Sequence, residues 1–223
     1  MHSVFAFDAY GTLFDVHAAV RRHADAIGPD SAALSETWRQ KQLEYSWIHG
    51  LMGRYVSFWE LTQNALDFAF AKFPNANRGT RQALLDAYFE LECYPEVPVV
   101  LKALKDAGCE TTILSNGSTD MLNAAVQSAG LDDLVDSALS VDLVQKFKTD
   151  EAVYQLVLDT FSATPEQVSF QSSNRWDVAA ASGFGFRTLW INRTNQPDEY
   201  KSLAPSFVLE DLTALIGPQG RPV

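Results

Sequence analysis

Val4-Phe5-Ala6-Phe7-Asp8-Ala9-Tyr10-Gly11-Thr12 is the stretch on which the fold turns. Its first four residues are all apolar, which suits a strand buried on both faces rather than one with a solvated face. The run stops at a carboxylate, and Gly11 three residues later supplies the backbone freedom that a tight loop needs. An acid at the carboxyl end of such a strand lies where open α/β sheets gather their ligands.

Similar short runs recur at Thr111-Thr112-Ile113-Leu114, Ala138-Leu139-Ser140-Val141, Val168-Ser169-Phe170 and Thr188-Leu189-Trp190-Ile191. Between them, Val97 to Ala107 reads as a helix closed by Gly108. Ser118 to Ala129 reads as another, with Ser118 as N-cap and Gly130 beyond its end. Asp150 to Phe161 and Asp177 to Ser182 complete the alternation, which implies a parallel sheet covered on both faces.

From residue 16 to residue 91 the pattern is helical only. Val16, Val20, Ala24 and Ile27 form one apolar stripe, and Leu34, Trp38, Tyr45 and Ile48 a second. Phe58 to Phe73 and Thr80 to Leu91 read as two more helices. The chain thus divides into a core of residues 1–15 and 92–223 and a helical cap of residues 16–91 inserted after the first strand. Residues 218–223 are expected to be loose.

A length of 223 residues at 47% apolar content suits one core domain carrying such an insertion. The net charge of −11 argues against nucleic acid, which is bound by clustered Lys and Arg. It also means that an anionic ligand must be held by local donors and a few placed cations. No segment is long and apolar enough for a membrane span, and residues 1–8 do not read as a signal peptide. Cys93 and Cys109 are the only cysteines and have no metal-site or disulfide-framework spacing, so a cytoplasmic location is expected. His2, His17, His23 and His49 form no visible metal or triad set.

The polar residues after three of the strands carry the chemistry: Asp8 to Thr12, then Ser115-Asn116-Gly117-Ser118, then Ser172-Ser173-Asn174-Arg175-Trp176-Asp177. With Lys148 ahead of the helix near Asp150, they supply a nucleophile, a cation, hydroxyl and amide donors and a second carboxylate. Here the sequence resembles the 2-haloacid dehalogenases of the haloacid dehalogenase superfamily, and the resemblance covers nearly the whole chain. It rests on Phe7 to Phe14, on Trp38-Arg39-Gln40-Lys41-Gln42-Leu43-Glu44-Tyr45, on Ser115-Asn116, on Lys148 with Tyr154, and on Ser172-Ser173-Asn174 with Trp176-Asp177. The sequence departs from the family at Thr149 and Glu151, where prolines usually flank the aspartate after the lysine.

The resemblance implies an α/β fold, a Rossmann-type parallel sheet core with an inserted helical cap. It also implies a two-step hydrolysis of short (S)-2-haloacids. Asp8 attacks the carbon bearing the halogen, inverting it, and water then attacks the ester carbonyl to release an (R)-2-hydroxyacid. Phosphate-transferring relatives carry a second aspartate two residues after the nucleophile, because an alkoxide leaving group needs a proton. Here that position is Tyr10, and a departing halide needs none. Asn174 stands where such relatives have a metal-binding carboxylate, so neither metal nor other cofactor is expected.

The implied roles follow residue by residue. Lys148 holds and orients Asp8, and Thr12 fixes its loop. Arg39 and Asn116 receive the halide. Ser115 and main-chain amides near Tyr10 hold the substrate carboxylate. Asp177, positioned with Ser172 and Asn174, activates water, while Tyr154 orients Lys148 or the substrate. Tyr10, Phe58 and Trp176 line the pocket. The family also implies a homodimer through the cap. The rival readings are a Mg²⁺-dependent phosphatase of the same superfamily, a fluoroacetate-active dehalogenase and a non-catalytic binding protein that retains the fold.

Overall fold

The computed structural model describes residues 2–217 and 222. Six strands form one parallel sheet in the order β3-β2-β1-β4-β5-β6: β1 (Val4–Phe7), β2 (Glu110–Ser115), β3 (Ser137–Ser140), β4 (Val168–Ser172), β5 (Arg187–Ile191) and β6 (Phe207–Leu209). All four β1 residues are buried, as expected of a central strand with covered faces. β1 pairs with β2 on one side and β4 on the other, with Phe7 opposite both Ile113 and Gln171. Since neighbouring strands lie about 4.8 Å apart, the polar loops after all three emerge side by side.

Of the remaining elements, α6 (Val97–Asp106), α7 (Thr119–Ser128), α8 (Glu151–Phe161) and α9 (Arg175–Phe184) accompany the sheet. In α6, Val97, Val100, Leu101 and Leu104 form a buried stripe, and Gly108 follows at φ +77°. Ser118 stands at the N-cap of α7, but its hydroxyl caps nothing; the carboxylate of Asp142 takes the Thr119 N–H at 2.8 Å instead. Asp150 caps α8, accepting the Ala152 N–H at 3.0 Å. The expected start of α9 at Asp177 is corrected to Arg175, with Asn174 in extended conformation at the N-cap.

Between β1 and α6 lie only helical elements: α1 (Ala18–Arg22), α2 (Ala24–Ile27), α3 (Ser31–Met52), α4 (Phe58–Lys72) and α5 (Arg81–Phe89), with a 3₁₀ turn at Arg78–Thr80. The first expected stripe is interrupted at His23, which leaves helical geometry, and Ala24 is only half-buried. The second is corrected more substantially. The buried face of α3 runs through Leu34, Trp38, Gln42 and Ser46, whereas Tyr45 is half-buried and Ile48 is exposed. Polar Gln42 can occupy that face because its amide donates to Thr62 Oγ1 at 2.7 Å and to the Tyr88 hydroxyl at 3.1 Å. The Trp38 indole N–H, for its part, reaches the Thr62 carbonyl at 2.9 Å.

The helical segment leaves and rejoins the rest of the chain at one crossing, where Phe14 and Cys93 form an antiparallel bridge. Asp15 N–H donates to the Glu92 carbonyl at 3.0 Å, and Tyr94 N–H to that of Leu13 at 2.9 Å. No helix among the described residues is long and apolar enough to cross a membrane. Cys93 and Cys109 are both free thiols. The expectation of a loose tail at 218–223 lies outside the described residues, Pro222 excepted.

Candidate active site

Asp8 follows β1 directly, and its loop is shaped by Gly11, whose φ of +94° lets its N–H turn back to the Phe14 carbonyl at 2.7 Å. The Asp8 carboxylate is buried and held on both oxygens. Oδ1 receives the Lys148 ammonium at 3.1 Å. Oδ2 receives the Thr12 hydroxyl at 3.1 Å, the Asn174 amide at 2.7 Å and, more loosely, the Ser172 hydroxyl at 3.4 Å. Thr12 Oγ1 also accepts the Ser173 N–H at 2.8 Å, which fastens the loop after β1 to the loop after β4.

Lys148 is no surface lysine: its side chain is 1% exposed and its ammonium bridges Asp8 to Asp177, the second contact being 2.7 Å. Burial by itself lowers the pKa of Lys148, but the charges and hydrogen bonds of the two carboxylates outweigh it and hold its pKa above the ordinary value. Removing this cation would leave two buried carboxylates unpaired, a loss of about 3–5 kcal/mol. Asp177 is pushed up to about 6, chiefly by burial and further by the charge of Asp8, with Lys148 opposing the rise. A carboxylate near 6 is a far better proton acceptor than one at its usual value. Tyr154 donates to the other Asp177 oxygen at 2.8 Å, and burial beside that carboxylate keeps it a phenol.

These contacts redistribute the roles expected from the sequence. Ser172 and Asn174 hold Asp8 rather than Asp177, because Asp177 stands one helical turn further on and faces α8. Tyr154 orients Asp177 rather than Lys148. The backbone N–H of Lys148 is held by Asn116 Oδ1 at 2.9 Å, which sets the lysine loop without the family's prolines. The Asn116 amide nitrogen, by contrast, is buried without a protein partner. Ser115 Oγ accepts the Gly117 N–H at 3.0 Å and shapes its own turn.

Arg39, on α3, reaches over the Asp8 loop and donates to the Tyr10 carbonyl at 3.1 Å and to Gln42 Oε1 at 2.8 Å. It pairs with neither Glu36 nor Glu44. Tyr10 stacks between Phe58 at 6.2 Å and Tyr88 at 5.5 Å, and its buried hydroxyl has no protein partner. Gly117 is required here, because a Cβ on it would stand 2.7 Å from the Tyr10 ring. Trp176 is half-buried and meets Trp47 edge-on at 5.6 Å, joining the start of α9 to α3. Sequence reasoning missed Tyr88 and gave Gln42 no role, since each reads as an ordinary helix residue until the long-range packing brings them together.

The arrangement therefore offers a held nucleophilic carboxylate, a buried proton acceptor across one shared ammonium, and two unpartnered polar groups, Asn116 Nδ2 and the Tyr10 hydroxyl. No group of three or more His, Cys, Asp or Glu residues suited to a metal occurs among the described residues. The ammonium of Lys148 fills the place between Asp8 and Asp177 where a cation shared by the two carboxylates would sit.

Comparison with known proteins agrees with this chemistry. (S)-2-haloacid dehalogenase 1 of Pseudomonas sp. (strain CBS-3) is 50% identical over 210 residues, 94% of this chain and 92% of its own. A solved dehalogenase superimposes with a TM-score of 0.94 at 44% identity, over 96% of this chain and 95% of that one. L-2-haloacid dehalogenase from Xanthobacter autotrophicus, solved with chloropropionic acid covalently bound, gives 0.89 at 35% identity, covering 96% of this chain and 97% of its own. The family model for haloacid dehalogenase-like hydrolases matches residues 2–185, and the chain belongs to that family.

Proposed function

We propose that this protein hydrolyses short-chain (S)-2-haloacids to (R)-2-hydroxyacids through an ester on Asp8. The observation that carries the reading is the grip on Asp8: a buried carboxylate bonded on both oxygens, with Tyr10 rather than an acid two residues on. One Asp8 oxygen attacks the carbon opposite the carbon–halogen bond, that bond breaks, and the halide leaves with the bonding pair. Asn116 Nδ2 and the Arg39 guanidinium are the donors offered to it, a planar cation being well suited to a diffuse anion. Ser115 and the Tyr10 region hold the substrate carboxylate.

Water then adds to the ester carbonyl carbon while Asp177 takes its proton. The ester C–O bond on the Asp8 side breaks, the proton taken by Asp177 passes to the departing alkoxide oxygen and the second water proton is lost to solvent, so the new oxygen stays on Asp8 and the old one leaves in the product. Lys148 neutralises charge beside both carboxylates throughout, and no metal is needed. Residues 16–91 act as a cap that excludes water, with Phe58 and Trp176 as walls. The exposed side of α3 supports a homodimer through that cap, and the two reduced thiols fit a cytoplasmic enzyme. The negative net charge gives nucleic acid no foothold.

A halide-release panel tests the reading, using chloro-, bromo- and fluoroacetate and both enantiomers of 2-chloropropionate with and without chelator. Chloride from the (S) enantiomer alone, (R)-lactate as product, indifference to chelator and loss of release in Asp8→Asn are the expected results. Single turnover in ¹⁸O-water should label Asp8. Chelator-sensitive phosphate release from a generic phosphoester, with no halide from any haloacid, would overturn it in favour of a phosphatase.

A further inference from the structure

Beyond the antiparallel bridge of Phe14 and Cys93, the helical segment is tied to the sheet domain by a polar contact that the chemistry above does not use. Tyr55 lies in the connection between α3 and α4, just beyond Gly53, which ends α3 in the left-handed region at φ +62°. That connection is itself fixed, since Arg54 N–H donates to the His49 carbonyl at 3.0 Å and the His49 ring meets the Arg54 carbonyl at 2.7 Å. The Tyr55 hydroxyl donates to Asp142 Oδ1 at 2.5 Å, across 87 residues of sequence.

Asp142 is anchored in turn to the loop that carries Ser115 and Asn116. Its Oδ2 accepts the Thr119 N–H at 2.8 Å and the Thr119 hydroxyl at 3.2 Å. Its own N–H donates to Ser140 Oγ at 3.0 Å, and Ser140 donates to the Gly117 carbonyl at 2.7 Å. The Tyr55 ring packs on Phe147, the neighbour of Lys148, at 5.1 Å. Phe147 meets Phe58 at 6.3 Å, and Phe58 stacks on Tyr10. One side chain thus links the α3–α4 connection to the halide loop, the lysine loop and the aromatic wall over Asp8.

We propose that Tyr55 is a positioning residue for the dehalogenation: its bond to Asp142 latches the α3–α4 connection against the Ser115–Asn116 loop and so holds Phe58 and Tyr10 closed over Asp8. The proposal rests on the dehalogenase reading for its kinetic arm and on geometry alone for its structural arm. A latch of this kind favours the closed state before substrate arrives. Its loss lowers the competent fraction of free enzyme and raises the apparent dissociation constant by the same factor.

Tyr55→Phe deletes the hydroxyl and keeps the ring. For (S)-2-chloropropionate its KM is expected to rise about tenfold while kcat stays within about threefold. Hydrogen exchange at the amides of residues 54–58 should quicken, with little change in exchange of β1 and β4. Asp142→Asn serves as the second variant, and the KM effects of the two substitutions should be strongly non-additive in the double variant. Parent-like KM and parent-like exchange in Tyr55→Phe would overturn the latch, as would full additivity with Asp142→Asn. If the parent released no halide, the dehalogenase reading would fail while the exchange measurement still judged the latch.

Discussion

Asp177 is the residue whose titration should be visible in the enzyme's kinetics. Held at about 6 by burial, it is a proton acceptor only when ionised, so activity should fall as pH drops through about 6. For stability the sign is opposite: a raised folded pKa favours the fold below the ordinary value of 3.8 and loses that contribution as pH rises through about 6. The Tyr154 hydrogen bond lowers the Asp177 value. Tyr154→Phe should therefore move the acid limb of the rate profile upward by about one to two units, since a bond to a charged group is worth about 1.5–3 kcal/mol. An unmoved acid limb in that variant would remove Asp177 from the water-activating step. Asp8, Lys148 and Asp177 were legible as a set because Asp8 ends a strand of clear pattern, Lys148 and Asp177 stand at the starts of two helices, and the motifs around all three resemble one family. Which of them Tyr154, Ser172 and Asn174 would serve was not, because that depends on distances of a few ångströms between loops far apart in sequence.

At the scale of elements, the Asp150 cap of α8 is worth testing because the lysine loop runs straight into it. Asp150→Ala should cost about 1 kcal/mol, of which its half-exposed pair with Lys146 accounts for little. In a chain of this size that lowers Tm by about 2–4 °C, measurable by calorimetry. No change in Tm would mean that the loop is fixed by Asn116 alone. Five of the six strands were legible as short apolar runs. Strand β6 was not, because Phe207–Leu209 is only three residues long, follows a polar loop and lies at a sheet edge with Phe207 and Val208 half exposed. The buried face of α3 was misread for a different reason. Apolar periodicity follows Tyr45 and Ile48, while the packed face runs through Gln42 and Ser46, whose polar atoms are satisfied by partners on other elements or along the helix.

For the whole molecule, Ile48, Leu51 and Met52 form an apolar strip at i, i+3 and i+4 on α3, with Leu51 86% exposed. If the proposed homodimer uses that strip, Leu51→Glu should sediment as a monomer where the parent sediments as a dimer, with β1 and its partners undisturbed. A parent that stays monomeric at micromolar concentration would dispose of the dimer. The crossing of Phe14 and Cys93 has a wider consequence. Because the outgoing and returning chains run shoulder to shoulder, about 5 Å apart, the sheet sees the 76-residue excursion as a stalk of fixed width. Foreign helices of any number could be grafted onto that neck, or the whole excursion pruned to a short turn, without rethreading one strand. A new crown would bring new walls and would have to resupply the Arg39 guanidinium, while the nucleophile and its ammonium stay in the trunk.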